Sequence, residues 1–454
     1  MSSRPAYLIH TYGCQMNAND SERLAAILDA AGFDATMDEA AANLVIFNTC
    51  SVREHAEQRI YGMMERLSER KRAGEDLVVA VTGCMAGRDK DGVLHRRLGF
   101  VDLFFPTPDM VNLPRWVAEL RPAWSIGGDA PEDYLNVHPS RRIKGQAFIT
   151  IQTGCNHFCS YCVVPYARGL ERNRTVTDIL AELSRHANNG VKDVILLGQA
   201  VNAYRAPDPG SFSADNPYQN HFAALLWETN QIPGVERVHW TAAHPLKMDA
   251  QVIHALNLPK QINYLHLPAQ SGSDEVLRRM NRKYTRTQFL GIIEQIKSTR
   301  PGMALGTDLI VGFSGETEKD FEDTLELYRA CDFDIAYPAQ YSLRTGTLAN
   351  RLFADDVPEE EKKRRWQAVQ DLMERTALRK NQAYAGKTVK VFVERIRDGM
   401  LFGTNDELKA VSATLPSNVE NHEKWDKVIG TFITVKIEKP LTWMLQGQVL
   451  DNEV

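Results

Sequence analysis

The run Gly154-Cys-Asn-His-Phe-Cys-Ser-Tyr-Cys162 places Cys155, Cys159 and Cys162 at the spacing C-x3-C-x2-C. Iron–sulfur cubanes take one cysteine thiolate per iron, so this loop can hold three irons of a 4Fe–4S cluster. No further cysteine follows until Cys331, and the fourth iron is therefore left without a nearby protein ligand. An open coordination position is typical of catalytic rather than structural metal sites. The loop predicts a reactive cluster.

A zinc site is the alternative for the same three cysteines. Zinc usually takes four ligands, often from paired C-x2-C segments, and His157 could supply the fourth. So short a loop would be strained if it had to surround a tetrahedral ion. The ligand count favours the iron–sulfur cluster.

The composition is that of an ordinary soluble protein. The chain has 454 residues, of which 43% are hydrophobic and 24% charged, enough for two or three domains. No apolar run approaches the roughly 20 residues that a bilayer requires, and the first residues lack the apolar core of a secretion signal. We expect a cytoplasmic protein without a membrane partner. In a reduced compartment its seven cysteines are expected to be metal ligands or free thiols.

The first 125 residues alternate between strand-like and helix-like segments, which predicts an open parallel α/β sheet in a domain spanning 1–125. An Asp/Ser cap at Asp20 and Ser21 indicates where the first helix begins. The predicted strands are Tyr7–Tyr12, Ala42–Asn48 and Leu77–Gly83, and the predicted helices are Asp20–Ala31 and Val52–Arg72.

A second group of cysteines follows these strands. Cys14, Cys50 and Cys84 each come just after one of the three. Because the carboxyl ends of parallel strands meet at one edge of a sheet, we expect the three to converge there. A second iron–sulfur cluster with a free iron explains them best. The alternatives are small buried side chains and a zinc site completed by His10 or His55.

The middle of the chain, 141–383, predicts a partial (β/α) barrel. It follows a linker rich in proline and glycine at about 121–145, and it holds about six strand–helix units without a Rossmann fingerprint. In such barrels the active site lies at the carboxyl ends of the strands, and the cysteine loop follows the first strand. The predicted strands are Ala147–Gln152, Asp193–Leu197, Val235–Trp240, Tyr264–Leu267, Ala304–Val311 and Phe333–Tyr341.

The tail, 386–454, predicts a small all-β barrel of the OB type. It follows a long charged helix over Pro358–Ala383 and consists of short alternating strands. The overall fold class is therefore α/β with a C-terminal β-barrel.

Across its whole length the chain resembles the methylthiotransferase family of radical S-adenosylmethionine (SAM) enzymes, and the tail looks like a TRAM domain. Tyr161, the aromatic residue before the third cysteine of the loop, is also usual in that superfamily. The blocks that carry the resemblance are Thr11–Asn17, Asn48–Glu54, Thr82–Cys84, Gly154–Gly169, Leu197–Tyr204, His266–Ser273 and Asp308–Thr317.

The resemblance implies both the cofactors and the chemistry. The open iron of the first cluster would bind SAM, and one electron would cleave SAM to methionine and a 5′-deoxyadenosyl radical. A second 4Fe–4S cluster on Cys14, Cys50 and Cys84 would carry or supply sulfur, and a further SAM would donate the methyl group. The resemblance also implies two partners, a reducing electron donor and an unidentified sulfur donor. We expect the chain to be a monomer.

Within the family, the motifs Gln15-Met-Asn17 and Thr49–Glu54 resemble those of one branch. That branch methylthiolates N6-dimethylallyladenosine in tRNA at C2, next to the anticodon. Enzymes acting on a ribosomal-protein aspartate usually read Gly-Cys-Pro-Lys-Asn in the first block. Another alternative substrate is threonylcarbamoyl-adenosine in tRNA. A different class is a non-enzymatic iron–sulfur sensor that binds RNA, which the open-iron spacing argues against. The chain departs from the usual wording at Ala200, Ala269 and Ser314, none of them a cluster ligand.

The resemblance also indicates candidate SAM-binding residues at or past the strand ends. Asp308 is the strongest of them, because a carboxylate within an apolar strand is costly unless it is paired. Cys331, by contrast, is expected to be a core thiol. The candidates are Tyr161, Gln199, Asn202, Gln270, Ser271, Asp308 and Gly312.

With a net charge of −5, any RNA contact must come from local patches. Lys362–Arg365 could equally be a solvated helix face beside Glu359–Glu361. The candidate RNA contacts are Arg141, Arg142, Lys144, Lys362–Arg365, Trp425, Lys427 and Trp443.

Overall fold

The structure, a computed structural model, describes residues 4–50, 54–124, 127, 131–139, 143–415 and 425–450, with the backbone alone for 54–59. Arg141 and Arg142 lie outside these residues. The chain forms two compact units. Unit 1 comprises Met1–Arg142, Gln152–Arg174 and Arg344–Leu348, and unit 2 comprises Ile143–Ile151, Thr175–Leu343 and Ala349–Val454. The boundaries 1–125, 141–383 and 386–454 stay predictions.

Unit 1 contains the expected open parallel sheet. Its strands are β1 (Ala6–Tyr12), β2 (Asp34–Ala35), β3 (Leu44–Thr49), β4 (Val78–Gly83) and β5 (Leu103–Phe104), in the order β2-β1-β3-β4-β5. Its helices are α1 (Gln15–Ala30), α2 (Glu54–Arg72), α3 (Cys84–Arg88), α4 (Val93–Arg97) and α5 (Leu113–Leu120).

Both faces of this sheet are covered, as its uninterrupted apolar strands require. Every residue of β3 and β4 is buried, and alternate side chains enter two separate cores. One core takes Ile9, Leu44, Ile46, Val78 and Ala80, and the other takes Leu8, Val45, Phe47, Val79 and Val81.

The predicted start of the first helix was wrong. Helix α1 begins at Gln15, so Asp20 and Ser21 lie inside it and are buried. Neither caps a helix end, because each binds a distant side chain: Asp20 pairs with Arg168, and the Ser21 hydroxyl lies 2.7 Å from that of Thr11. Polar residues that usually mark a helix start here serve tertiary contacts.

Strand β6 (Gln146–Thr150) begins the barrel of unit 2, whereas β7 (Gln152–Thr153) and β8 (Arg172–Asn173) pair as an antiparallel hairpin in unit 1. That hairpin contains the C-x3-C-x2-C loop and a short helix, α6 (Val164–Arg168).

Unit 2 continues as six parallel strands in sequence order. After β6 come β9 (Asp193–Leu197), β10 (Arg237–Trp240), β11 (Tyr264–His266), β12 (Ala304–Val311) and β13 (Ile335–Gln340). They form the sheets β6-β9-β10 and β11-β12-β13, and an isolated parallel bridge pairs Val238 of β10 with Gln261, which lies three residues before β11. This is the predicted partial barrel.

Helices alternate with the barrel strands, and all of them except α13 contribute to the core of the barrel. They are α7 (Val176–Asn188), α8 (His221–Gln231), α9 (Ala250–Ala255), α10 (Asp274–Arg279), α11 (Arg286–Thr299), α12 (Glu318–Cys331), α13 (Leu348–Leu352) and α14 (Glu359–Gln382). Among the described residues, no helix has the length and hydropathy needed to cross a membrane.

The tail forms the predicted closed β-barrel. Its strands are β14 (Thr388–Arg397), β15 (Met400–Asn405), β16 (Ala410–Thr414), β17 (Phe432–Pro440) and β18 (Leu445–Val449), closed in the order β14-β15-β16-β18-β17.

A buried arginine attaches this tail barrel to the rest of unit 2. Arg237 pairs with Asp193 at 2.7 Å and donates to the carbonyl oxygens of Thr404 and Asn405 at 3.2 Å. Its guanidinium also lies 5.2 Å from the ring centre of Phe392. Burial alone would raise the pKa of Asp193, but His239 and Arg237 outweigh it and hold that pKa well below its usual value. The tail barrel is therefore a fixed part of unit 2.

Candidate cluster and SAM sites

Strand register brings the three dispersed cysteines of unit 1 to one edge. Tyr12 pairs with Thr49, and Thr49 pairs with Gly83, so the ends of β1, β3 and β4 form one row across the sheet. Cys14 follows this row by two residues, and Cys50 and Cys84 follow it by one. The expected convergence at the carboxyl edge is confirmed.

Close backbone packing tightens this edge. A Cβ atom on Gly13 would lie 2.9 Å from the Cβ of Cys50. Gly83 has a φ of +92°, and a Cβ there would lie 2.7 Å from the backbone nitrogen of Thr49. Both positions require glycine, because the loops after β1, β3 and β4 meet with no room for a side chain.

A pair of buried asparagines ties α1 to the same edge. The Asn17 amide donates to the side-chain oxygen of Asn48 at 2.9 Å, and the Asn48 amide donates to the Asn17 carbonyl at 2.8 Å. The side-chain oxygen of Asn17 also lies 3.4 Å from the sulfur of Cys14. The first turn of α1 is thereby held over the strand ends, with Cys14 just before it.

The three thiols differ in exposure. Cys14 is exposed, whereas Cys50 and Cys84 are buried. Burial raises the pKa of the Cys84 thiol, the Arg168 guanidinium works against that, and a charge on Cys14 would raise the pKa further. Arg168 donates from Nε to the Cys84 sulfur at 3.4 Å. A cationic donor beside a buried sulfur suits a thiolate that is bound to metal.

The contiguous cysteines lie in the hairpin of unit 1. Cys155 and Cys159 are buried, and Cys162 is half-buried. Gly154 has a φ of +74°, and a Cβ there would lie 2.7 Å from the carbonyl oxygen of Gly169, so the two arms of the hairpin meet closely. The Cys162 amide donates to the Cys159 carbonyl at 3.0 Å. The loop is compact, and its three cysteines match in number the three ligands that an open cluster with one cysteine per iron would take.

Nothing in the described part of the chain groups three His, Cys, Asp or Glu side chains around a single metal ion. Of the residues considered for zinc, His10 lies 3.3 Å from Glu39 and stacks on Phe47, and His157 is half-buried. The side chain of His55 lies outside the described residues. None of the seven cysteines, all of which lie among the described residues, forms a disulfide bond.

Two of the SAM-site candidates in unit 2 have side chains suited to a ligand. The Gln199 side-chain oxygen is buried and has no hydrogen-bond partner among the described residues. Oδ2 of Asp308 lies 3.1 Å from Nε2 of His266, within hydrogen-bonding distance. The Asp308 side chain remains 41% exposed. The pairing expected for Asp308 is present, and the residue also stays accessible.

The sequence did not single out the partners behind Asp308. The Tyr264 hydroxyl lies 3.1 Å from Nδ1 of His266, so that a hydrogen-bonded row runs from Tyr264 through His266 to Asp308. A Cβ on Gly306 would lie 2.9 Å from the same Nδ1 atom, and glycine is required there to admit the row. Burial raises the pKa of Tyr264 well above its usual value.

Three other candidates are engaged by the protein itself. The side chain of Asn202 makes two hydrogen bonds to the backbone of His244, and the Ser271 hydroxyl lies 3.3 Å from that of Thr324. The Gly312 amide donates to Glu316 at 2.5 Å. Gln270 is buried with a φ of +67°, and Tyr161 in unit 1 is half-buried. Their roles as SAM ligands stay predictions.

Two of the expected RNA contacts in α14 were wrong. Lys362 and Arg365 are buried and ion-paired, Lys362 with Asp355 at 2.6 Å and Arg365 with Glu316 at 2.8 Å. They therefore form neither an RNA patch nor a solvated helix face. Lys363 and Arg364 between them are exposed, and Arg364 pairs with Glu318 and Glu361.

Of the two tryptophans expected to contact RNA in the tail, one is buried and one is exposed. Trp425 is 3% exposed within the core of the tail barrel, so that it packs the barrel and cannot stack on a base. Trp443 is 49% exposed, and Lys427 is also exposed. Lys144 donates to the Asp426 carbonyl at 2.9 Å. Cys331 is fully buried, and burial raises its thiol pKa to about 12, as expected for an inert core thiol.

Comparisons with known proteins place this architecture in a class. The model of the radical SAM superfamily matches residues 149–328, and the model described as uncharacterized protein family UPF0004 matches residues 6–106. The first match covers the cysteine loop and most of the parallel strands, and the second covers the sheet with the three dispersed cysteines. The fold and the loop are those of a radical SAM enzyme, a class that uses a 4Fe–4S cluster and SAM.

Curated relatives narrow the class to one family. The tRNA-2-methylthio-N(6)-dimethylallyladenosine synthase of Acetivibrio thermocellus is 39% identical over 98% of this chain and 91% of its own length. The enzyme of the same name from Clostridium botulinum is 39% identical over 97% of this chain and 96% of its own length. The chain belongs to the family of tRNA-2-methylthio-N(6)-dimethylallyladenosine synthases, a branch of the radical SAM methylthiotransferases.

Solved structures support the fold alone. The radical SAM methyltransferase TsrM from Kitasatospora setae, with cobalamin and a 4Fe–4S cluster bound, covers 88% of this chain and 77% of its own at a TM-score of 0.54 and 14% identity. The cobalamin-dependent SAM radical enzyme OxsB covers 82% of this chain and 56% of its own at a TM-score of 0.51 and 12% identity.

Proposed function

We propose that this chain methylthiolates N6-dimethylallyladenosine in tRNA, at C2 of the adenine next to the anticodon, with SAM as both radical source and methyl donor. The observation that carries the proposal is the presence of two separate three-cysteine sets in a chain whose full-length relatives bear the name of that activity. The cluster held by one set would generate the radical, and the cluster held by the other would carry or supply the sulfur.

The target C–H bond is unactivated, and no acid or base side chain breaks such a bond at a useful rate. A bound cluster and SAM supply an electron and a carbon radical for this step. Cys155, Cys159 and Cys162 would hold the first cluster. In unit 2, the unpartnered oxygen of Gln199 would accept a hydrogen bond from SAM, and His266 would orient Asp308 toward it.

A second 4Fe–4S cluster would bind at the edge of the unit 1 sheet. Cys14, Cys50 and Cys84 meet there at the ends of adjacent strands, and the loops that carry them cannot separate without breaking the register. With three ligands for four irons, one iron stays open for sulfur.

The tail barrel would bind the tRNA. Trp443 and Lys427 are the exposed groups of the right kind, since an aromatic ring can stack on a base for about 1–3 kcal/mol and a lysine can neutralise a phosphate. The proposal includes that the chain is a cytoplasmic monomer, and that separate partners donate the electron and the sulfur.

Nucleoside mass spectrometry of tRNA tests the substrate. A strain lacking this gene should accumulate dimethylallyladenosine without its methylthio group, and the wild-type chain should restore the group. Cys159→Ala should fail to restore it, and Cys331→Ser should restore it fully. Loss of methylthiolation on threonylcarbamoyl-adenosine or on a ribosomal-protein aspartate, with dimethylallyladenosine unaffected, would overturn the assignment in favour of the corresponding substrate.

A sensor without catalysis is tested separately. Anaerobic, reduced protein incubated with SAM should release 5′-deoxyadenosine at a rate that Cys159→Ala abolishes. If the wild-type protein with its full iron content released none, the chain would be a binding protein rather than an enzyme.

A further inference from the structure

The buried arginine that follows the cysteine loop has a role that the cysteine sets alone do not explain. Arg168 is the last residue of α6, six positions after Cys162, and 3% of its side chain is exposed. All of its contacts described below lie within unit 1.

Arg168 is held by a buried acid on one side. Its Nη2 atom lies 2.5 Å from Oδ2 of Asp20, whose side chain is 2% exposed. An arginine side chain stays protonated in proteins, and the carboxylate of Asp20 balances its charge here. The guanidinium is therefore a fixed positive charge inside the unit.

The remaining nitrogens of Arg168 point to a different ligand. Nε donates to the Cys84 sulfur at 3.4 Å, and Nη1 is buried without a hydrogen-bond partner among the described residues. An unsatisfied buried donor on a charged group costs on the order of 1–3 kcal/mol or more, so such a group is expected to gain a partner in the working protein.

The packing of two short helices fixes the arginine in this place. Helix α3 begins with Cys84 and α6 ends with Arg168, and a Cβ on Gly87 would lie 2.9 Å from the carbonyl carbon of Ala167. Because Gly87 has no side chain, the two backbones approach closely enough to bring Arg168 beside Cys84.

We infer that Arg168 is an electrostatic partner of the second cluster, donating from Nε to the Cys84 ligand sulfur and from Nη1 to a sulfide or to the sulfur carried at the open iron. The inference rests on the proposed second cluster. Hydrogen bonds to the sulfurs and nearby charge both set the potential of an iron–sulfur cluster. A buried positive donor stabilises the more negative, reduced state.

The test uses the full chain with Cys155, Cys159 and Cys162 changed to Ala, so that only the second cluster is loaded. In this background, potentiometry followed by electron paramagnetic resonance should give a more negative midpoint for Arg168→Gln. Arg168→Lys, which keeps the charge but loses the planar fork, should give a smaller shift in the same direction.

Arg172→Gln is the matched control. Arg172 lies in the same hairpin and pairs with Asp133, and its side chain is 52% exposed. Its loss should leave the midpoint unchanged. An unchanged midpoint and unchanged spectrum in Arg168→Gln at full iron content would overturn the inference.

Two further outcomes are decisive. If the background chain itself binds no iron, the second cluster and the proposed sulfur site fail before Arg168 is tested. If both Arg168 variants lose the cluster while Arg172→Gln keeps it, Arg168 is only a structural support, and the tuning role is overturned.

Discussion

The two cysteine sets of unit 1, each proposed to hold a cluster, are brought together in opposite ways. Cys155, Cys159 and Cys162 lie in one hairpin, and its local backbone, including Gly154 at a φ of +74°, holds them together. Cys14, Cys50 and Cys84 depend instead on the register of three strands that the chain forms between Ala6 and Gly83. The difference teaches that cysteines can be grouped by their spacing in one loop or by the topology of a sheet, and that the two proposed sites should respond differently to damage.

The largest expected effect comes from the contiguous set. Cys159→Ala should abolish both SAM cleavage and product, because the radical-forming cluster loses a ligand. Changing all three cysteines of the loop to Ala should lower the iron of reconstituted protein from about eight per chain to about four. Cys331→Ser is the control and should change neither. A triple variant that lost all of its iron, or none, would contradict two independent sites.

Damage to one ligand of the dispersed set should separate the two reactions. Cys50→Ala should give no methylthiolated product while leaving substantial SAM cleavage, because the hairpin cluster remains intact. Product and 5′-deoxyadenosine are measured on the same samples. Full product from Cys50→Ala would remove the sulfur-supplying role from this edge.

A glycine substitution tests topology without touching a ligand. Gly83→Ala should lose the iron of the dispersed set alone, because its Cβ would press on the backbone of Thr49 and displace Cys84. Gly74→Ala is the matched control, with a φ of +87° and no atom within 4 Å of the added Cβ. Both substitutions place a side chain at a positive φ, which costs on the order of 1–3 kcal/mol of backbone strain. Equal iron in the two variants would show that the close approach is not needed.

The smallest effect is expected in the tail barrel, which carries no cysteine. Trp443→Ala should weaken tRNA binding by roughly tenfold, in line with the loss of one stacked base, and leave SAM cleavage without RNA unchanged. Met37→Ala, at a side chain that is 92% exposed in unit 1, serves as the control. Filter binding at several salt concentrations measures both. Unchanged affinity would assign recognition to other surfaces.

Point variants are preferable to truncation in that experiment. Removal of the residues from 386 onward would take away the carbonyl groups that Arg237 binds, together with the rings of Phe392 and Phe432 beside its guanidinium. The buried Arg237 would then keep Asp193 but lose its hydrogen bonds to the carbonyl oxygens of Thr404 and Asn405. Weaker RNA binding by the shortened chain would not distinguish a lost contact from a destabilised core.

The sequence predicted secondary structure correctly where the residues with apolar side chains are the ones buried in the core. The strands Asp193–Leu197 and Ala304–Val311 were predicted to the residue, because each is an apolar run bounded by polar or turn residues. The convergence of Cys14, Cys50 and Cys84 followed from a general rule of parallel sheets.

Long-range pairs account for what the sequence did not predict. Asp20 was interpreted as a helix cap, and Lys362 and Arg365 as surface charges, because their partners are distant in the chain or hidden by the fold. Arg168 and Arg237 carried no signal of their own for the same reason. A charged residue signals burial only once its counter-ion is known.

The attachment of the tail barrel through Arg237 has a consequence for biosynthesis. Thr404 lies 167 positions after Arg237, and at about 5–20 residues per second the ribosome needs roughly 8–33 s to add that length. During this interval the arginine has Asp193 but lacks its later carbonyl partners. We expect unit 2 to reach full protease resistance only after the last strands leave the ribosome, so that nascent chains stalled before residue 400 should be cleaved more readily than released chains.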